Sequence, residues 1–187
     1  MLAYVFIHRP ATDADRCEYV TRLRAFHEAL TAAPSPGFRR SWVWQVEAGP
    51  LGETFEDWYL VEDWAALGAL NHAAVTGTRE APHDQLAPRA VEGVGGIYGP
   101  THGEPVASAR YRLRVTKPLG APYAQFEARL RDAAGLAAVI WKRQMVLGAD
   151  HEFLIDSPTR PAHDTVLDQR IDVSALRAVS TLGPPET

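Results

Sequence analysis

The opening strand is apolar on both faces, and this limits what the rest of the chain can build around it. LAYVFIH, stopped by Pro10, is rich in β-branched and aromatic residues and predicts a strand. Ala3, Val5 and Ile7 form one face, while Leu2, Tyr4, Phe6 and His8 form the other. An antiparallel sheet with helices on one side and water on the other alternates apolar and polar residues. This strand does not alternate, so both of its faces need a cover.

The elements that follow supply one cover. Thr12 and Asp13 are placed to cap a helix in which Tyr19, Leu23, Phe26 and Leu30 share a face, and Pro34, Pro36 and Gly37 end it. Two strands follow, SWVWQVE and FEDWYLVE, and then a helix capped by Asp63 that runs from Trp64 to about Val75 and closes at Gly77. A polar stretch from Thr78 to Pro88 leads to a strand near Gly96 to Tyr98. The order is β-α-β-β-α-β.

GPTHGEPVA, from Gly99 to Ala107, reads as a linker, and after it the order begins again. YRLRVTKP is a strand, and Pro122 to Ala133 is a helix with Tyr123, Phe126 and Leu130 on one face. AAVIWKRQMVL, HEFLIDS and a segment around Thr165 to Val173 are strands, with TRPAHD standing where the first half carries its second helix. Aligning Pro10 with Pro118 pairs Ile7 with Val115 and Val5 with Leu113; aligning Gly49 with Gly148 pairs Trp42 with Trp141 and Gln45 with Gln144. The expectation is a duplicated unit, residues 1–99 and 107–187, with the second helix of the second copy curtailed. The second copy's sheet is then the cheapest cover for the bare face of the first. The fold class is α+β, with two antiparallel sheets packed face to face and helices outside.

VFIHRP with its following helix, and the segment DWYLVEDWAALGALNHAAVTG, resemble the dimeric α+β barrel superfamily. Its members include antibiotic-biosynthesis-type monooxygenases, stress-responsive barrel proteins and haem-handling relatives. The resemblance implies ferredoxin-like units whose sheets close a barrel, here within one chain as a tandem pseudo-dimer or paired further as a homodimer. It also implies a small-molecule-binding protein, a cofactor-independent monooxygenase or isomerase acting on an aromatic or polyketide-like compound. Trp64 and His72 match residue types that line the pocket in several relatives.

Composition narrows the alternatives. The 187 residues carry a formal net charge of -4, with 46% hydrophobic and 22% charged residues, which fits a globular protein and gives no electrostatic footprint for nucleic acid or an anionic membrane. The apolar run Leu2 to Ile7 is too short for a signal peptide or a spanning helix, so the expected compartment is the cytosol. One cysteine, Cys17, excludes an internal disulfide framework or a multi-thiolate metal site, and no HxxxH or HxH spacing supports a metal.

Several residues are candidates for chemistry. His8 shares a face with Tyr4 and Phe6, and a neutral imidazole pointing between the sheets is a base or ligand; a satisfied core histidine is the plainer account. His72 lies roughly 120° from the centre of the Leu67, Leu70 and Ala74 face by helical spacing, which suits a rim position. Asn71 falls nearer the apolar face, where a buried amide orients a ligand or bonds to backbone. Five tryptophans, Trp44 among them, suit either a core or the walls of a site for a planar organic ligand.

Arg110, Arg112 and Arg114 alternate with Tyr111, Leu113 and Val115. Helices over Leu113 and Val115 turn Arg112 and Arg114 toward the first unit. There they need carboxylates such as Asp156, Glu152 or Asp168, water, or an acidic aromatic ligand in a cleft opposite Tyr4, Phe6 and Trp44. The plainer account is a wet half of the sheet with the arginines in solvent. Two other classes stay open: a non-enzymatic binding or interaction protein with a filled interior, and a haem-binding barrel, for which His151 and His163 are the available histidines of the second unit.

Overall fold

The computed structural model of the protein describes residues 1–49, 52–146, 153–160, 165–166, 169–170 and 172–182. Eight strands close a barrel in which every neighbouring pair is antiparallel: β1 (Leu2–Pro10), β2 (Phe38–Gly49), β3 (Gly52–Val61), β4 (Ala90–His102), β5 (Tyr111–Val115), β6 (Val139–Val146), β7 (Phe153–Ser157) and β10 (Asp172–Leu182). β8 (Thr165–Val166) and β9 (Gln169–Arg170) make a small separate ribbon. Around the barrel the order is β1-β3-β2-β10-β5-β7-β6-β4. The first four strands run β4-β1-β3-β2, and the last four repeat that pattern as β10-β5-β7-β6. The two runs join where β2 pairs with β10 and β4 with β6, so among the described residues the barrel itself has no edge strand.

Four α-helices lie among the described residues: α1 (Arg16–Ala32), α2 (Trp64–Ala74), α3 (Glu80–Leu86) and α4 (Tyr123–Ala134). None is long and apolar enough to cross a membrane. Asp15, rather than Thr12 or Asp13, caps α1 by accepting the Glu18 N–H at 2.8 Å, and Asp63 caps α2 through the Ala66 N–H at 2.9 Å. On α1 Tyr19, Leu23, Phe26 and Leu30 are all buried, as their spacing predicts. On α4 Phe126 and Leu130 are buried, but Tyr123 is exposed beneath the ammonium groups of Lys117 and Lys142.

Three expectations need correction. The polar stretch from Thr78 to Pro88, for which the sequence predicts no element, holds α3 between two short 3-10 turns. β4 runs on to His102, so the first residues of the expected linker are strand. The closing strand is Asp172–Leu182 and not Thr165–Val173, because β10 must reach far enough to pair with both β5 and β2.

The core has three parts. Ala3, Val5, Trp42, Trp44, Trp58, Leu60, Tyr98, Val139, Trp141 and Leu154 fill the barrel. Leu2, Tyr19, Leu23, Phe26, Phe55, Tyr59, Leu70 and Ile97 pack between the barrel wall and α1–α3. Leu113, Val115, Phe126, Leu130, Phe153 and Ile155 pack under α4. Both faces of β1 are therefore covered, but in the opposite sense to the simplest expectation. Its small residues, Ala3 and Val5, face the barrel, and Tyr4, Phe6 and His8 face the helices. Four buried tryptophans crowd the barrel, and small side chains on β1 leave room for them.

Candidate functional site

A cavity of about 640 Å3 lies between the barrel wall and the helices α1, α2 and α3. Its volume falls in the range of about 300–1,000 Å3 typical of small-molecule sites. Tyr4 and Phe6 on β1, Tyr59 on β3 and Ile97 on β4 form its floor. Phe26 and Leu30 of α1, Leu67 and Leu70 of α2, and Leu86 of α3 form apolar walls, with Trp64 half exposed at the rim. The floor is shaped by missing side chains. A Cβ on Gly93 would sit 2.4 Å from Phe6 Cζ, and one on Gly95 would sit 3.0 Å from Tyr4 Cε2. The glycines of VEGVGGIYG thus let two aromatic rings lie flat across β4.

A buried polar cluster stands at one side of this floor. The register sets Phe6 opposite Asp57 and Tyr4 opposite Tyr59, so Asp57 and Tyr59 share the outward face of β3. His8 Nε2 lies 3.1 Å from Asp57 Oδ2, and His8 Nδ1 lies 2.5 Å from the Tyr19 hydroxyl of α1. Tyr59 donates its hydroxyl to Asp57 Oδ2 at 3.1 Å, and His27 Nε2 of α1 lies 3.7 Å from Asp57 Oδ1. The rings stack as well: His27 on Tyr59 with centroids 5.0 Å apart, and Tyr4 on Tyr59 at 5.7 Å.

Electrostatics fix the protonation states of the carboxyl and phenol groups of this cluster. Burial alone would raise the Asp57 carboxyl, but the charges and hydrogen bonds of His8 and His27 reverse that and hold it well below the usual carboxylate range. Burial, and next the Asp57 charge, push the hydroxyls of Tyr4, Tyr19 and Tyr59 upward, so they stay neutral. An ionised carboxylate only accepts, so the His8 proton sits on Nε2. Nδ1 faces the Tyr19 hydroxyl.

A second polar cluster lies inside the barrel, on the other face of the same strand. Glu56 is fully buried, and its two oxygens meet Arg112 and Arg114. Arg112 Nε also bonds to Asp156 Oδ1 at 2.7 Å, and its guanidinium lies 4.2 Å from the centre of the Trp58 ring. Arg114 donates to Ser174 Oγ at 3.0 Å, and the Trp58 indole N–H donates to Glu56 Oε2 at 3.1 Å.

The candidates named from the sequence therefore divide. Tyr4, Phe6, His8, Trp64 and Asn71 all line the cavity, but Asn71 is exposed there and is not the buried amide its spacing predicts. His8 does so from the helix side and not from between the sheets, with Tyr19 beside one ring nitrogen and Asp57 beside the other. His72 is exposed and does not line the cavity. Arg112 and Arg114 point inward and Arg112 meets Asp156 as expected, but with Trp44 they occupy the barrel, on the opposite side of the wall from Tyr4 and Phe6. The shared cleft for an acidic ligand is not formed, because the proline alignment places β1 one residue out of phase with β5, and one residue reverses every side chain. Glu152, His151, His163 and Asp168 lie outside the described residues. Among the described residues no group of three or more His, Cys, Asp or Glu side chains is arranged to hold a metal ion.

Sequence reasoning missed Tyr19, His27, Asp57 and Tyr59 as one cluster, and His83 as a cavity residue. The signal for His27 was available: it follows Tyr19 and Leu23 at four-residue steps and so shares their buried face.

No family model matches the chain, and no curated protein matches it in sequence. Solved structures do match in fold. An anthrone oxidase-like protein is 13% identical with a TM-score of 0.61, over 99% of this chain and 94% of that one. A candidate monooxygenase from Fusobacterium nucleatum subsp. nucleatum is 12% identical with a TM-score of 0.59, over 97% and 94%. A candidate monooxygenase from Lactobacillus acidophilus is 10% identical with a TM-score of 0.61, over 97% and 96%. At these identities the likeness establishes the shared α+β barrel fold.

Proposed function

We propose that the protein binds a flat, largely apolar aromatic ketone in the cavity above Tyr4, Phe6 and Tyr59 and oxidises it with dioxygen, without a cofactor. The observation that carries this reading is the cavity itself: apolar walls, an aromatic floor, and titratable groups gathered at one side. The names of the fold relatives, a monooxygenase and an anthrone oxidase-like protein, agree with it.

The chemistry asks little of the protein beyond proton control. A CH2 group acidified by a neighbouring carbonyl loses a proton, and the electron pair moves onto the substrate as an enolate. The enolate supplies the electrons that reduce dioxygen. One oxygen atom becomes a new ketone in place of the CH2, and the other leaves as water. Tyr4 and Asn71 supply neutral hydrogen-bond donors for the enolate oxygen, and burial keeps the Tyr4 hydroxyl protonated for that task. Because Arg112 and Arg114 are held by Glu56, Asp156 and Ser174 inside the barrel, the ligand is neutral rather than acidic.

Anthrone is the probe. Incubated with the protein in air-saturated, chelator-treated buffer, it gains one oxygen and loses two hydrogens, and labelled dioxygen places its isotope in the product. Binding of anthrone, seen by fluorescence titration, without any oxygen uptake would replace this reading with non-enzymatic ligand binding. No binding at all would remove the cavity as the site.

A further inference from the structure

We infer that His83 is the general base of the cavity, taking the substrate proton on its Nε2. The inference rests on the function proposed above and names the group that reaction still lacks.

Among the described residues, the groups lining the cavity that carry an ionisable atom are Tyr4, His8, Asp57, Tyr59 and His83. Four of them are unsuited to accept a proton from a ligand. Asp57 is almost fully buried, receives the Tyr59 hydroxyl, and faces His8 and His27. His8 has Tyr19 at one nitrogen and Asp57 at the other. Tyr4 and Tyr59 are neutral phenols, held so by burial and then by the Asp57 charge.

His83 differs in each respect. It sits on α3, the segment that roofs the cavity, with its ring edge-on to Phe26 at 5.8 Å between centroids. Its Nδ1 lies 3.0 Å from Oδ1 of Asp84. An exposed carboxylate accepts and does not donate, so Nδ1 carries the proton and Nε2 of the neutral ring keeps its lone pair. No hydrogen bond engages Nε2 among the described residues. The side chain is about one-third exposed, which lets the acquired proton pass to water between turnovers. In the step itself the C–H bond of the acidified CH2 breaks, the N–H bond at Nε2 forms, and the electron pair stays on the substrate as the enolate.

The test separates proton removal from oxidation. Anaerobic anthrone in D2O with wild-type protein exchanges its CH2 protons, read by proton NMR. His83→Gln lowers that exchange about 100-fold or more, the usual contribution of a placed general base. Its anthrone affinity stays within about threefold of wild type, against the tenfold that one strong contact commands. Imidazole added to His83→Ala restores exchange, which a structural role for the ring does not explain. Exchange by His83→Gln at the wild-type rate overturns the inference, and so does wild-type protein that binds anthrone without exchanging it. An absence of anthrone binding by wild type overturns the proposed function and the role of His83 with it. If either variant misfolds, the nitrogen-15 shifts of His83 in the wild-type protein decide: a proton on Nε2 of the neutral ring overturns the inference, and one on Nδ1 upholds it.

Discussion

Glu56 and Asp57 are neighbours on one strand and both are buried, yet they belong to different kinds of site. Glu56 points into the barrel, where Arg112 and Arg114 match its charge and four tryptophans leave the interior filled. Asp57 points toward the helices, where His8, His27 and Tyr59 surround it and an open apolar cavity begins beside it. The first cluster uses permanently charged guanidinium groups and holds the barrel closed across β3, β5 and β7. The second gathers phenol and imidazole groups around one carboxylate, next to space for a ligand. A buried charge by itself does not mark a functional site; the volume and the kind of partner beside it do.

The comparison breaks most visibly at Glu56. Glu56→Gln leaves two guanidinium groups without their shared carboxylate in the barrel. Removing one partner of a buried ion pair costs about 3–5 kcal/mol. Urea unfolding should show that loss. Anthrone binding by the fraction that remains folded should be unchanged, since Glu56 does not line the cavity. A loss below about 0.5 kcal/mol, the scale of a surface substitution, would mean that the arginines find other partners.

Asp57→Asn should cost less and should depend on pH. The folded-state value of Asp57 lies below its unfolded value of about 3.9. Its contribution is therefore fully present above that unfolded value and is lost as the pH falls toward the folded one. One well-paired carboxylate of this kind contributes roughly 2–3 kcal/mol. The stability gap between wild type and Asp57→Asn should stay constant from pH 8 to about pH 5 and close progressively below about pH 4. A gap that persists unchanged at the acid end would show that shape, and not the charge on Asp57, holds the cluster together.

How much of this was legible in the sequence follows the same division. The two-faced opening strand, the helix face of Tyr19, Leu23, Phe26 and Leu30, and the inward arginines were readable, because burial leaves a periodic imprint. The phase of β1 was not readable from matched prolines, since loop lengths shift freely while side-chain direction depends on single residues. Nor was α3: Pro82 and the polar run around it look like a loop, and packing on α1 overrides that local preference. His83 and Asp57 come from segments distant in sequence, and only closure of the barrel and its helical cover brings them around one cavity.

Two glycines on β4 sharpen the contrast at lower cost. On Gly96 a Cβ would meet Tyr98 Cε2 at 2.9 Å, and Tyr98 is fully enclosed in the barrel. Gly96→Ala should destabilise by about 1–3 kcal/mol, the range for overpacking a filled core. On Gly93 the contact is closer on paper, 2.4 Å to Phe6 Cζ, but the Phe6 ring borders open volume and can swing into it. Gly93→Ala should therefore cost less stability than Gly96→Ala and more anthrone affinity. Thermal unfolding paired with fluorescence titration checks both, and the reverse ranking would show that the cavity floor is as tightly packed as the barrel.

The smallest effect has the opposite sign. Gly68 lies within α2 and lines the cavity, and a Cβ built there meets nothing within 4 Å. Alanine in a helix interior is favoured over glycine by about 0.8–1.0 kcal/mol, because glycine loses more backbone freedom on folding. Gly68→Ala should raise stability by about that amount in a urea titration, since no neighbour has to move. The same methyl group enters the space that the ligand is proposed to fill, so anthrone should bind more weakly to the more stable protein. A glycine kept where alanine would stabilise the fold is what a binding cavity requires and a filled core does not. Gain of stability with no loss of affinity would place the ligand away from α2, nearer to α3 and His83.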